Sequence, residues 1–106
     1  MKLPPRIFSL LTLLVAGGSA QAQDPVSHGQ SLVAEFCANC HAIGAKGESP
    51  HPGAPPFRTL SRTVDLDEFP GALERGITSS HPDMPAIKFS QEEARAVRAY
   101  LRSIQQ

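Results

Sequence analysis

The chain has 106 residues, ten of them basic and ten acidic, so its formal net charge is zero. This length leaves room for one domain, and the mixed charges show no basic cluster or stripe that would suggest nucleic-acid binding. Both cysteines lie in one short motif, so the chain has no disulfide framework to stabilise its fold.

The N-terminal segment is typical of an export signal. Lys2 and Arg6 give it a positive charge, an apolar run occupies 7–16, and Ala20-Gln21-Ala22 fits the small-residue cleavage rule. The apolar run is shorter than the roughly 20 residues that span a bilayer, which favours a cleaved signal over a retained membrane anchor.

We therefore expect a signal peptide over 1–22, cleavage near Ala22 and a mature domain over 23–106. The mature protein would be periplasmic, without stable membrane insertion. About 84 residues would remain, with a net charge of about −2. So small a chain buries little apolar surface, and a bound cofactor would complete its core.

The first helix of the mature chain is expected to begin at Asp24-Pro25, an N-cap residue followed by a proline in the first turn. Apolar residues at helical spacing extend it to Cys37. Gly29 interrupts this pattern, since a glycine inside a helix costs about 1 kcal/mol relative to alanine. Either another helix approaches closely at this point or the first turn is frayed.

The five residues from Cys37 to His41 read Cys-Ala-Asn-Cys-His, the attachment signature of c-type haem. On one helical turn, two sulfurs at this spacing can reach the two vinyl groups on one edge of a porphyrin. His41 then presents its imidazole to the iron from the same side. We predict one covalent haem c on Cys37 and Cys40, with His41 as an axial ligand.

Other chemistry for Cys37 and Cys40 is less well supported by the sequence. A thioredoxin-like dithiol needs a βαβ setting, and no strand pattern surrounds the pair. A structural zinc site needs four ligands, and the adjacent Cys40 and His41 would bind one zinc awkwardly. An unused pair in an oxidising compartment would form a disulfide.

Glycines and prolines are dense over 42–60 and predict an ordered loop, which we expect to wrap over the haem edge on the His41 side. Arg58 and Arg62 are candidates to pair with haem propionates, although solvated surface arginines are the alternative. A short helix over 65–75 should follow and end at Gly76.

Met84 is the only methionine besides Met1, so it is the one methionine that can serve as the second axial ligand of a mature protein. Methionine opposite histidine raises the reduction potential of haem iron. The alternative is that Met84 fills a gap in the core. His81 offers bis-histidine ligation instead, whereas His28 and His51 have no supporting spacing and are expected to be solvated.

The last helix is expected to begin after a capping box, in which Ser90 is followed three residues later by Glu93. One helical face is apolar and the arginines lie mostly on the other. The apolar face consists of Ala94, Val97, Tyr100, Leu101 and Ile104.

The order of these features resembles that of small class I c-type cytochromes along nearly the whole mature chain. The resemblance is carried by the Cys37–His41 motif, by Met84 in a proline-rich loop and by a terminal helix bearing Tyr100. It implies an all-α, cytochrome c-like fold of three to four short helices and loops around one covalent haem. It also implies that the first and last helices cross closely, with Gly29 and Tyr100 at the contact.

One position departs from the family's pattern, and at another the sequence leaves two prolines to choose between. The family often has an aromatic residue four positions before the first cysteine, where this chain has Val33, so the contact should be weaker unless Phe36 compensates. The family also uses a proline carbonyl to accept the N–H of the proximal histidine, and here Pro55 or Pro56 is that residue. Such a bond leaves Nε2 of the histidine free for iron.

The resemblance implies an electron carrier or the electron-transfer subunit of a larger complex, and not an enzyme. With both axial positions filled, the iron offers no open site for a substrate or for oxygen. We expect a dehydrogenase or cytochrome complex as donor and an oxidase or reductase as acceptor. The protein would act as a free carrier or as a small subunit or partner of a periplasmic dehydrogenase. A haem enzyme or gas sensor with a labile Met84 is the alternative.

Overall fold

The computed structural model describes residues 1–5, 12–13, 24–79 and 81–106. Most of the predicted signal peptide, including the cleavage site near Ala22, lies outside the described residues. Among the residues that are described, no helix is long and apolar enough to cross a membrane.

The described chain contains three α-helices and one 3₁₀ helix. The helices are α1 (Pro25–Phe36), α2 (Phe69–Arg75) and α3 (Gln91–Ile104), and the 3₁₀ helix spans Phe57–Arg62. In these same residues the only β pairing is an isolated antiparallel bridge between Ile77 and Ile87. The all-α class and the expected number of helices are confirmed.

Local capping explains where α1 and α3 begin. The Asp24 carboxylate accepts a hydrogen bond from the Ser27 backbone N–H, and a proline follows in the first turn. Ser90 and Glu93 form the complete capping box: Ser90 Oγ accepts from the Glu93 N–H (3.2 Å), and Glu93 Oε1 accepts from the Ser90 N–H (3.0 Å). Both predicted helix starts are confirmed.

Helices α1 and α3 cross in direct contact and form the centre of the core. Leu32 and Val33 of α1 are buried with Val97, Tyr100 and Leu101 of α3. Val33 and Leu101 have no exposed side-chain surface. The apolar face predicted for α3 is therefore the face that packs against α1.

The prediction of a loop over 42–60 is wrong at the C-terminal end of that range, because the 3₁₀ helix begins at Phe57. This helix is held by a residue far along the chain, because Gln105 Nε2 donates to the Phe57 carbonyl and Gln105 Oε1 accepts from the Ser61 N–H, both at 2.8 Å. Phe57 and Leu60 are the buried residues of this helix.

Helix α2 is shorter than the predicted span of 65–75. It begins at Phe69, because the Asp65 carboxylate accepts from the Asp67 N–H (2.8 Å) and closes a turn there, and Pro70 occupies the first helical turn. Gly76 ends the helix with a φ of 98°, as predicted.

Candidate haem site

A cavity of about 400 Å³ lies between α1, the 3₁₀ helix, α2, α3 and the loop over 77–89. Its walls are mostly aliphatic and aromatic side chains, which suit a large, flat, apolar group. Leu60, Leu73, Val97 and Leu101 belong both to these walls and to the core. A more open groove elsewhere, beside Arg62 and Arg102, is lined by neither cysteine nor histidine.

The backbone after α1 continues as a helical turn and carries both thiols to the cavity. The Cys37 N–H donates to the Val33 carbonyl (2.9 Å), and the His41 N–H donates to the Cys37 carbonyl (2.9 Å). Cys37 and Cys40 are both free, partly buried and part of the cavity wall. The motif therefore presents two thiols from one turn to one apolar space.

Burial raises the pKa of the Cys37 thiol to about 11, and the neighbouring Cys40 adds to the shift. Redox-active dithiols and nucleophilic cysteines have a lowered pKa, so this thiol has the opposite character. Within the described ranges, no group of three or more His, Cys, Asp or Glu side chains is arranged to hold a metal ion. The raised pKa of the Cys37 thiol favours the haem interpretation of the motif over the dithiol.

His41 is oriented by a carbonyl and by an aromatic ring. Its Nδ1 lies 2.8 Å from the Pro55 oxygen, so the nitrogen donates its proton to that carbonyl and Nε2 is left as the acceptor. The Phe57 ring packs against the imidazole with centroids 4.7 Å apart. Of the two prolines left open by the sequence, Pro55 is the one that accepts this bond.

Met84 lies in the loop over 77–89 and lines the same cavity as Cys37, Cys40 and His41. The Met84 N–H donates to the His81 carbonyl (3.2 Å), which closes a turn in this segment. The structure thus brings together the two candidate thioether residues and the two candidate iron ligands around one apolar space.

The two arginines proposed for the propionates lie elsewhere. Neither Arg58 nor Arg62 lines the cavity. The Arg58 guanidinium donates to the Gly47 carbonyl (2.6 Å), and that of Arg62 to the Gln106 carbonyl (3.5 Å). Their use as propionate partners has no support in the structure.

Sequence reasoning missed the position of His51, which was expected to be solvated. His51 and Asp83 both line the cavity, and His51 Nε2 donates to the Asp83 carboxylate at 3.1 Å. The two residues are 32 positions apart, so no local pattern in the sequence connects them. His81, the other candidate ligand, also lines the cavity and packs edge-on against the His51 ring.

Phe36, which the sequence left open as a substitute for the aromatic residue missing at Val33, lines the cavity and packs against another aromatic ring. Phe36 is 49% exposed and packs edge-on against Phe89, with centroids 5.4 Å apart.

The Tyr100 hydroxyl donates a hydrogen bond to the Ile43 carbonyl (2.5 Å), which ties the segment just after the haem motif to α3. Burial raises the Tyr100 pKa above its ordinary value.

These residues fit a covalently attached haem. The apolar walls match the macrocycle, the paired thiols match its vinyl groups, and an imidazole with a fixed tautomer and a thioether are suitable ligands for iron.

The family model described as cytochrome c oxidase, cbb3-type, subunit III matches residues 24–101, which include α1, the haem motif, Met84 and most of α3. No match was found among curated proteins or among solved structures. The chain belongs to this family: it is a monohaem c-type cytochrome domain that carries one covalent haem c and serves haem-based electron transfer.

Proposed function

We propose that this protein is a periplasmic one-electron carrier in which Cys37 and Cys40 hold the haem and His41 and Met84 hold its iron. The observation that carries the proposal is that all four side chains line one apolar cavity. The haem supplies reversible one-electron iron chemistry, and its axial ligands and surroundings tune the potential.

The chain's own residues prepare the site for electron transfer in three ways. The Pro55 carbonyl fixes the orientation of His41, so the imidazole keeps one tautomer in both oxidation states. Met84 would occupy the second axial position and exclude exogenous ligands. The apolar walls exclude water, so a change of charge on the iron requires little solvent reorganisation.

The family's description suggests what the partners are. It names a subunit of a cytochrome c oxidase, so we propose an oxidase-type acceptor, with a dehydrogenase or cytochrome complex as donor. Co-purification from the native host would separate two forms of the proposal. A protein that elutes alone supports a free carrier, and one that elutes with a larger flavin, molybdenum or quinone enzyme supports a dedicated subunit.

The direct test is exposure of the reduced holoprotein to carbon monoxide at neutral pH. A carrier with both axial positions filled should bind carbon monoxide slowly or not at all, whereas Met84→Ala should bind it rapidly. Rapid binding by the wild-type protein would contradict the carrier proposal and support a haem enzyme or gas sensor with a labile sixth position.

A further inference from the structure

The loop that carries Met84 is joined to the rest of the molecule at few points. At its base, Ile77 and Ile87 exchange both backbone hydrogen bonds, at 2.8 and 3.2 Å. Between these two residues, and leaving aside position 80, only one hydrogen bond reaches another described segment. It runs from His51 Nε2 to Asp83 Oδ2 (3.1 Å), and Asp83 is the immediate neighbour of Met84.

His51 is itself anchored to the haem motif. Its backbone N–H donates to the Cys40 carbonyl (3.1 Å), and its Nδ1 faces the Pro52 carbonyl oxygen (2.8 Å). The ring is also packed edge-on against His81, with centroids 5.4 Å apart. His51 thus connects the segment that carries one candidate ligand to the loop that carries the other.

We propose that His51 and Asp83 form a clasp that positions the Met84 loop and thereby sets how readily Met84 leaves the haem iron. The proposal rests on the proposed ligand role of Met84. His51 and Asp83 are positioning residues, because they act through the loop and not on the iron. The clasp completes the stiffening begun by Pro82 and Pro85, whose rings fix the backbone on either side of Asp83 and Met84.

The expected effect is modest. The His51 and Asp83 side chains are 30% and 64% exposed, so water screens their interaction. A pair of this kind shifts an equilibrium by about 1.5-fold to fivefold. An external ligand that competes with Met84 makes such a shift measurable, because the competitor binds only when the loop has moved Met84 away.

The test is a titration of the ferric holoprotein with imidazole. The loss of the far-red sulfur-to-iron absorption band measures how much imidazole has bound. His51→Ala should raise the apparent affinity for imidazole about 1.5-fold to fivefold. Asp83→Ala should have the same effect, and the double variant should add nothing further, because either change alone opens the clasp. His51→Gln, which keeps a donor, should return part of the way to the wild-type value.

Two controls separate the clasp from general destabilisation. Ser90→Ala weakens the fold at the start of α3, and His28→Ala removes a histidine outside the cavity wall. Both should leave the imidazole affinity unchanged. Wild-type affinity in His51→Ala and Asp83→Ala, or full additivity in the double variant, would overturn the clasp alone. If the wild-type protein lacked the far-red band, the ligand role of Met84 would fail, and the clasp with it.

Discussion

Gly29 lies directly against the backbone of Ala96. A β-carbon built on Gly29 would lie 2.0 Å from the Ala96 carbonyl oxygen and 2.8 Å from the Tyr100 Cβ. The missing side chain therefore allows α1 and α3 to cross in contact. Of the two explanations for a glycine inside α1, close approach of another helix is the correct one. The crossing also orients the site, since α1 ends at the haem motif and Val97 and Leu101 of α3 line the cavity.

We expect Gly29→Ala to destabilise the holoprotein by about 3 kcal/mol or more, because the new methyl group meets backbone and not a flexible side chain. The measurement is denaturant unfolding of the haem-loaded protein. Gly44→Ala is the matched control, since nothing lies within 4 Å of a β-carbon there. Equal unfolding midpoints for the two variants would contradict the helix crossing.

We expect Tyr100→Phe to lower the free energy of unfolding by about 1 kcal/mol at neutral pH. The substitution keeps the ring in the core and removes only the hydroxyl that donates to the Ile43 carbonyl. Unfolding by denaturant measures the loss, and an unchanged midpoint would show that this hydrogen bond contributes nothing.

The effect of Tyr100→Phe should also depend on pH. Burial favours the neutral phenol, so the Tyr100 pKa is higher in the folded than in the unfolded protein. Its contribution to stability is present below the ordinary value of 10.0 and is lost as the pH rises through the folded pKa. The stability difference between wild type and variant should therefore shrink in strongly alkaline solution. A difference that grows there would contradict the assignment.

At the start of α3, Glu93→Gln should be destabilising near neutral pH and not in acid. Hydrogen bonds from the Ser90 backbone and side chain lower the Glu93 pKa below its ordinary value of 4.5. The ionised form then stabilises the fold above that value, and this contribution is lost as the pH falls through the lowered pKa. Unfolding curves across the acid range provide the check, and a pH-independent difference would contradict the capping role of the charge.

Gln105→Ala should destabilise the protein by about 1–2 kcal/mol, because it leaves the Phe57 carbonyl and the Ser61 N–H without their partner. Gln91→Ala, an exposed glutamine in the first turn of α3, is the control and should change little. Thermal unfolding of both variants makes the comparison. A wild-type midpoint for Gln105→Ala would show that the 3₁₀ helix does not depend on this side chain.

The sequence predicted those features whose cause is local. Asp24 and the Ser90–Glu93 box mark helix starts within four residues, and the haem motif lies within one turn. What it could not predict depends on distant partners. Gln105 holds a 3₁₀ helix more than forty positions away, and His51 meets Asp83 across 32 positions. Loop composition likewise could not show that the Arg58 guanidinium reaches the Gly47 carbonyl.

The most direct test of the central claim, that the iron lies between His41 and Met84, is the far-red absorption of the ferric holoprotein. The wild-type protein should show a sulfur-to-iron charge-transfer band that is lost in Met84→Ala and retained in His81→Ala. A wild-type spectrum without this band, or a band that survives in Met84→Ala, would contradict the account.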